Sequence, residues 1–368
     1  MAWTSLAPTH PHRAAARSVL PVILLLAFCP IAPAQVSHSE LEAIYREVQT
    51  PYKYGIVVPA PKGKQVDCPN VFSFHGKWYM VYSQLEIDPT GYVTRIAESD
   101  NLLEWRPVRT VLERGPAGAW DSAQADGGIV LHQVEWGSSG IEKFDGKYWM
   151  TYIGGQNPGY ETPPLSIGVA SSTDPIRGSW RRAVRPALSP GDADAHPTER
   201  RDLFKSFVFR DPARTLGGRF VMFYNAHSLH DSERIFAAVS DDMLTWRRYG
   251  AAHVLANEPP AGSPRTVISG DPQITRIHGL WVMFYFGAFW KPGAFDTFAA
   301  SRDLVNWTKW EGPDLISPSE PWDARYAHKP WILKYRGVVY HFYCAVDNQG
   351  NRQIALATSV DLKRSAKP

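Results

Sequence analysis

The 368-residue chain carries 39 Lys and Arg against 36 Asp and Glu, a formal net charge of +3 at pH 7. That near-balance gives no electrostatic case for a nucleic-acid or anionic-membrane partner and leaves a neutral or small one. Its 14 Trp, 16 Tyr and 16 Phe suit sheets packed face to face.

Residues 1–34 read as an export leader. Arg13 and Arg17 precede the apolar run from Val19 to Phe28, which is too short to span a bilayer, and Ala32-Pro33-Ala34 offers a small-residue cleavage site. The mature protein is expected to begin near Gln35 and to be secreted or periplasmic. A lipid anchor at Cys29 would need a small residue before it, where Phe28 stands, so release is favoured. No later run is long and apolar enough to cross a membrane. Of the cysteines, Cys68 and Cys344 remain in a compartment that permits disulfides. A bridge between them and two buried free thiols are both open.

Residues 35–53 form a lead-in with one short helix, expected over Ser39 to Val48. Ser39 with Glu42 matches a capping box, and Leu41, Ile44, Tyr45 and Val48 follow helical spacing. From Tyr54 onward strands dominate. Val66 to Tyr82 reads as a hairpin, with a tight turn at His75-Gly76-Lys77 between two apolar runs. Four similar hairpins follow around Gly146, Gly218, Gly279 and Gly337, so that neighbouring turn glycines are 70, 72, 61 and 58 positions apart. A second series keeps phase with the first: SDNLLEW from Ser99, SSTDPIRGSW from Ser171, SDDMLTW from Ser240, SRDLVNW from Ser301 and a truncated TSVDLK from Thr358. Five copies of a unit with about four antiparallel strands predict an all-β, five-bladed propeller over residues 54–368. A β-sandwich or two smaller β-domains would not explain two motif series repeating together.

In such a ring the innermost strand of each blade lines the channel, and the residues at its start converge on one mouth. Asp67 falls opposite His328, because DCPNVF and HKPWIL share a spacing; Asp271 precedes Pro272, and Lys205 begins KSFVF. In the second repeat, extra residues leave two candidates, Asp126 and Glu135. Carboxylates gathered with Lys205 and His328 would shift one another's pKa values and so separate acid from base roles. Glycosidic cleavage needs such a set. Duller roles are open for each: a turn cap for Asp67, ordinary turn chemistry for Asp271-Pro272, a structural histidine, sugar contact or ion ligand for His328, and simple ion pairing for Lys205. Arg210-Asp211-Pro212 is assigned to the turn at the far end. Trp105, Trp180, Trp246 and Trp307 recur once per repeat and read as core. Trp120 and Trp290 break the repeat and could rim the mouth as sugar platforms, as could Trp136 and Trp322. Tyr92, Tyr160, Glu161, Glu233 and Arg234 lie in hairpin connections on that face and are second-rank binding candidates.

The pairing of D-x-P-x-x-F at Asp67 with GKWYMVY and then SDNLLEW resembles the five-bladed propeller glycosidases, glycoside hydrolase family 43 and its relatives in families 32, 117 and 130. The likeness spans about residues 54 to 360. It implies Asp67 as general base, Asp126 as the aspartate that tunes pKa and Glu135 as general acid, with Asp271 and Glu161 as substitutes for the acid. It also implies an inverting route, and a metal ion such as structural calcium in the channel beside His328; the chemistry itself needs no cofactor. The expectation is an exported, exo-acting glycoside hydrolase of plant or microbial glycans. Two alternatives stand beside it: a non-catalytic glycan-binding propeller, and a family-130-like phosphorylase with a phosphate pocket built from Lys205, Lys329 and Arg234.

Overall fold

Tight hairpins with right-twisted strands favour turns in which two successive residues take positive φ, a conformation glycine adopts without strain. Four of the expected turns do this, at His75-Gly76, Asp145-Gly146, His278-Gly279 and Arg336-Gly337. In a computed structural model, which describes residue 1 and residues 35–87, 90–228, 232–261 and 266–363, these turns organise five four-stranded antiparallel sheets. Residues 2–34 of the expected leader lie outside the described residues.

The chain enters through α1 (His38–Val48) and β1 (Tyr52–Val58). Blade one is β2 (Lys64–Phe74), β3 (Lys77–Ile87), β4 (Thr90–Ser99) and β5 (Arg106–Leu112). Blade two is β6 (Gln124–Ile129), β7 (Tyr148–Gly155), β8 (Ser166–Ser172) and the two-residue β9 (Arg181–Arg182). Blade three is β10 (Asp202–Arg210), β11 (Phe220–His227), β12 (Arg234–Ser240) and β13 (Arg247–Tyr249). Blade four is β14 (Ile268–Ile277), β15 (Leu280–Ala288), β16 (Ala294–Ser301) and β17 (Trp307–Lys309). Blade five has β18 (Tyr326–Tyr335), β19 (Val338–Val346) and β20 (Arg352–Thr358), and its fourth strand is β1, paired antiparallel with β20.

The truncated last repeat is thus completed by the start of the chain. Tyr52 and Lys53, expected in the lead-in, already belong to the ring, opposite Thr358 and Ala357. Closing a ring this way leaves no long open edge.

The helix starts earlier than expected. Its N-cap is Ser37, whose hydroxyl accepts the Glu40 N–H while the Glu40 carboxylate accepts the Ser37 N–H. Ser37 and Glu40 have the same spacing as Ser39 and Glu42, so Ser39 lies inside the first turn instead of capping it. Leu41, Ile44 and Val48 pack with Ile277, Leu280, Val282 and Phe284 of blade four. Ser-x-x-(Leu/Met) segments end the third strands of blades one, three and four: the hydroxyls of Ser99, Ser240 and Ser301 accept the N–H groups of Leu102, Met243 and Leu304, all left-handed at φ 67.

The inner strands carry the feature that shapes the site. In β2, β14 and β18 the register slips at one point, between Asp67 and Asn70, Gly270 and Gln273, and His328 and Trp331. Within each bulge, Cys68, Asp271 and Lys329 adopt positive φ of 51°, 49° and 64°, and each precedes a proline. A bulge re-aims a side chain, and left-handed backbone at a non-glycine residue is strain that the surrounding structure must hold. β10 slips at the equivalent place, between Leu203 and Ser206. The alignment of Asp67 with His328 is correct, whereas Asp271 sits one residue further along, level with Cys68 and Lys329.

Candidate active site

Two layers of charge meet where the inner strands begin. The deeper one is a floor of committed ion pairs. Asp67, 2% exposed, receives Lys329 Nζ at 3.1 Å and Arg352 Nη1 at 3.0 Å on one oxygen and the Cys68 N–H at 2.8 Å on the other. Burial favours its acid form, but Lys329 and Arg352 together hold the carboxyl far below the usual range. Asp126, 1% exposed, receives Lys205 and the Ser83 hydroxyl. Burial opposes the charge on Lys205, yet Asp126 raises its pKa, so it stays protonated.

Between the pairs lies Cys68. Its sulfur is 3.6 Å from Asp271 Oδ2, 4.0 Å from Asp126 Oδ2 and 3.5 Å from Lys329 Nζ. Burial and then Asp67 push the thiol pKa well up, which keeps it neutral. Cys68 and Cys344 are both buried and free, so the alternative of a bridge gives way to two thiols.

Above the floor opens a cavity of about 320 Å³. Three carboxyl groups from three blades line it: Glu161, Glu233 and Asp271. Glu161 lies in the β7–β8 connection with a left-handed backbone at φ 46°, its Oε1 3.5 Å from Lys329 Nζ. Glu233 directly precedes β12 and is 8% exposed. Asn225 Nδ2 donates to its Oε1. Burial above all, with Glu161 and Asp271 adding to it, pushes Glu233 well above the carboxylate range, against the opposing pull of Asn225 and Lys329. Burial also lifts Asp271, to about 6, although Lys329 and Lys205 oppose it.

Aromatic and basic groups complete the wall. Tyr160 lies under the Arg352 guanidinium, 4.7 Å from ring centre to cation. His328 donates from Nδ1 to the Cys344 carbonyl at 3.2 Å and meets the edge of Phe286 at 5.2 Å. Burial, and then Arg352, lower its pKa to about 3, so the imidazole is neutral. With Lys329 and Arg352 beside it, His328 does not fit a cation site, and among the described residues no three His, Cys, Asp or Glu side chains are gathered to hold a metal.

Of the sequence-predicted residues, the structure brings Asp67, Asp126, Lys205, Asp271 and His328 together, with Tyr160 and Glu161 on the cavity wall. Several others belong elsewhere. Glu135 bridges to Arg276 near the far, turn end of β14, with its side chain 69% exposed and 3.9 Å from the Arg276 guanidinium. Trp120 stacks on Tyr152 at 5.4 Å; a Cβ at Gly154 or Gly168 would lie 2.2 and 2.6 Å from its ring, so these glycines make room for it within blade two. Trp290 likewise covers Gly287 and packs on Phe295 at 5.0 Å. Arg234 opens β12 beside Glu233, its guanidinium donating to the Ser232 carbonyl at 3.3 Å, and does not line the cavity. Arg210-Asp211-Pro212 lies in the turn, where Asp211 accepts the N–H groups of Ala213 and Thr215.

Asn225, Arg352 and the rank of Glu233 escape the motif reading. One signal could have found two of them: connections between second and third strands deliver Glu161 in blade two, Glu233 in blade three and Arg352 in blade five.

No family model and no curated protein matches the chain. Among solved structures, it is similar to one described as a complex of BT0996 with RGII and to one described as a glycoside hydrolase. Each is 45% identical, with a TM-score of 0.85, covering 91% of this chain and 98% of its own. A thermostable family-43 glycoside hydrolase, 16% identical with a TM-score of 0.60 over 84% of this chain and 97% of its own, shares the fold. Among the described residues no helix is long and apolar enough to cross a membrane. With the five-bladed architecture and 45% identity over nearly the whole ring, the chain belongs to the propeller glycoside hydrolases.

Proposed function

We propose that this protein is an exported, exo-acting glycoside hydrolase in which Glu233 is the proton donor and Glu161 its carboxylate partner. The observation that carries the assignment is the division of labour among the acids. Asp67 is committed to Lys329 and Arg352 and Asp126 to Lys205, while Glu161, Glu233 and Asp271 line the cavity. An acid that burial keeps protonated, facing a second carboxylate beside a lysine, is the pairing that glycosidic cleavage requires.

Glu233 protonates the departing oxygen as the bond to the sugar lengthens. Glu161 supplies the second carboxylate, acting on the sugar carbon or on the attacking water. Asp271, titrating near 6, and the floor beneath it set the field in which both work. Exo action is supported by the size of the cavity. About 320 Å³ is near the lower end of the roughly 300–1,000 Å³ of small-ligand sites, room for a chain end. Lys205 and Lys329 already pair with Asp126 and Asp67, which weighs against a phosphate pocket. The raised acids weigh against a pure binding module. Export rests on the leader pattern in residues 1–34.

The test is a screen of aryl glycosides of arabinose, xylose, galactose, fucose and mannose with wild type and Glu233→Gln. One sugar should be released by wild type, and the variant should lose turnover mainly where the leaving group needs a proton. Equal turnover by both proteins on every substrate hydrolysed would remove Glu233 from the role.

A further inference from the structure

Asn225 in β11 is 1% exposed, and both ends of its amide are engaged. Its Oδ1 accepts the Asp271 N–H at 3.1 Å, and its Nδ2 donates to Glu233 Oε1. Because a backbone N–H can only donate, Oδ1 must face Asp271, and this leaves Nδ2 pointing at the carboxyl group.

The Asp271 N–H needs such a partner because the bulge in β14 has released it from the ladder. The equivalent N–H in blade one, that of Cys68, is accepted by the neighbouring Asp67 at 2.8 Å. In blade four the residue before the bulge is Gly270, which has no side chain to offer, and the acceptor comes across from blade three. Gly270 is also required for space: a Cβ there would stand 2.8 Å from Asn225 Nδ2 and 2.8 Å from Glu233 Oε1. An ionised aspartate could accept the Asp271 N–H as Asp67 does for Cys68, but it has no hydrogen to donate to Glu233, whereas the Asn225 amide accepts on one side and donates on the other.

A protonated carboxyl that accepts a hydrogen bond on Oε1 carries its proton on Oε2. We propose that Asn225 is a positioning residue that joins two cavity acids from different blades into one unit, directing the proton of Glu233 to Oε2 while holding the left-handed backbone that aims Asp271. The inference rests on Glu233 being the proton donor. The titratable groups facing Glu233 are Glu161 from the β7–β8 connection, Asp271 from β14 and Lys329 from β18.

The test uses the full-length protein and two substrates of the sugar found in the screen, the methyl glycoside, whose leaving group needs a proton, and the 2,4-dinitrophenyl glycoside, whose leaving group does not. Asn225→Asp keeps the acceptor for Asp271 and replaces only the donor to Glu233. On the methyl glycoside, kcat should fall about tenfold to a hundredfold with KM changed by less than about threefold. The basic limb of its pH profile should move up by about one unit, because a carboxylate facing Glu233 disfavours ionisation. On the dinitrophenyl glycoside the loss should stay under about threefold, and Asn225→Asp combined with Glu233→Gln should be no slower than Glu233→Gln alone. Equal losses on both substrates with an unmoved basic limb would overturn the positioning role. Wild-type turnover of the methyl glycoside by Glu233→Gln would instead overturn the donor assignment beneath it. If Asn225→Asp does not fold, Gly270→Ala presses on the same contact from the other side, and the same split between substrates decides the matter.

Discussion

The floor and the wall of this site use the same residue types to opposite ends. In the floor, Asp67 meets two cations within 3.1 Å and its carboxyl is held ionised. In the wall, the buried Glu233 and the half-buried Asp271 meet less compensation and are pushed toward the acid form. The lesson is that burial alone does not set a carboxyl group's role; the number of cations delivered to it does. Floor residues come from inner-strand starts and are answered by lysines and arginines from neighbouring blades. The wall carboxyl groups, Asp271 from a bulge and Glu161 and Glu233 from strand connections, face the cavity.

The widest separation between the two layers should appear on removal of one carboxyl from each. Asp67→Ala removes the carboxylate that the buried Lys329 and the half-buried Arg352 share and leaves Lys329, among carboxylates, only its longer contact to Glu161, which costs about 3–5 kcal/mol of stability, read from urea unfolding, and activity should fall with it. Glu161→Gln should lower turnover by about a hundredfold or more while the unfolding free energy stays within about 0.5 kcal/mol of wild type. A Glu161→Gln protein as unstable as Asp67→Ala would erase the distinction.

The opposed pKa directions sharpen the comparison further. Asp67 is depressed in the folded state, so its contribution is complete above the unfolded value of about 4 and is lost as pH falls below it. Asp271 is raised to about 6, so its contribution is complete below about pH 4 and is lost as pH rises from there through 6. Stability of Asp271→Asn relative to wild type should therefore improve between pH 4 and 7 by on the order of 2 kcal/mol, measured as unfolding free energy at each pH. A difference that is flat with pH would show that Asp271 titrates as it does in the unfolded chain.

The floor is more legible in the sequence than the wall. Turn glycines and the second motif series in phase with them suffice for the five blades, and strand starts must then converge, which brings together Asp67, Asp126 and Lys205 of the floor and, of the wall, only Asp271 and His328. What escapes is long-range. β1 pairs with β20 across nearly the whole chain, a partnership that no local pattern records. Trp120 and Trp290 interrupt the repeat, as sugar platforms would, yet Gly154, Gly168 and Gly287 leave flat places that those rings cover. Asn225 reads in sequence as one more residue of an apolar strand; its value lies in contacts with two residues of other strands and connections.

The smallest effect belongs to Glu135, and it tests whether proximity in sequence to Asp126 means anything. The two lie in the same irregular blade, but the 130–147 excursion carries Glu135 to the turn face, where its exposed side chain lies 3.9 Å from Arg276 of blade four. An ion pair with 39% and 69% exposed partners at 3.9 Å contributes under about 1 kcal/mol. Glu135→Gln should leave stability within about 0.5 kcal/mol and kcat/KM within about twofold of wild type. A hundredfold loss with the fold intact would mean that the far face takes part in catalysis, and the division between floor and wall would then describe only half of the site.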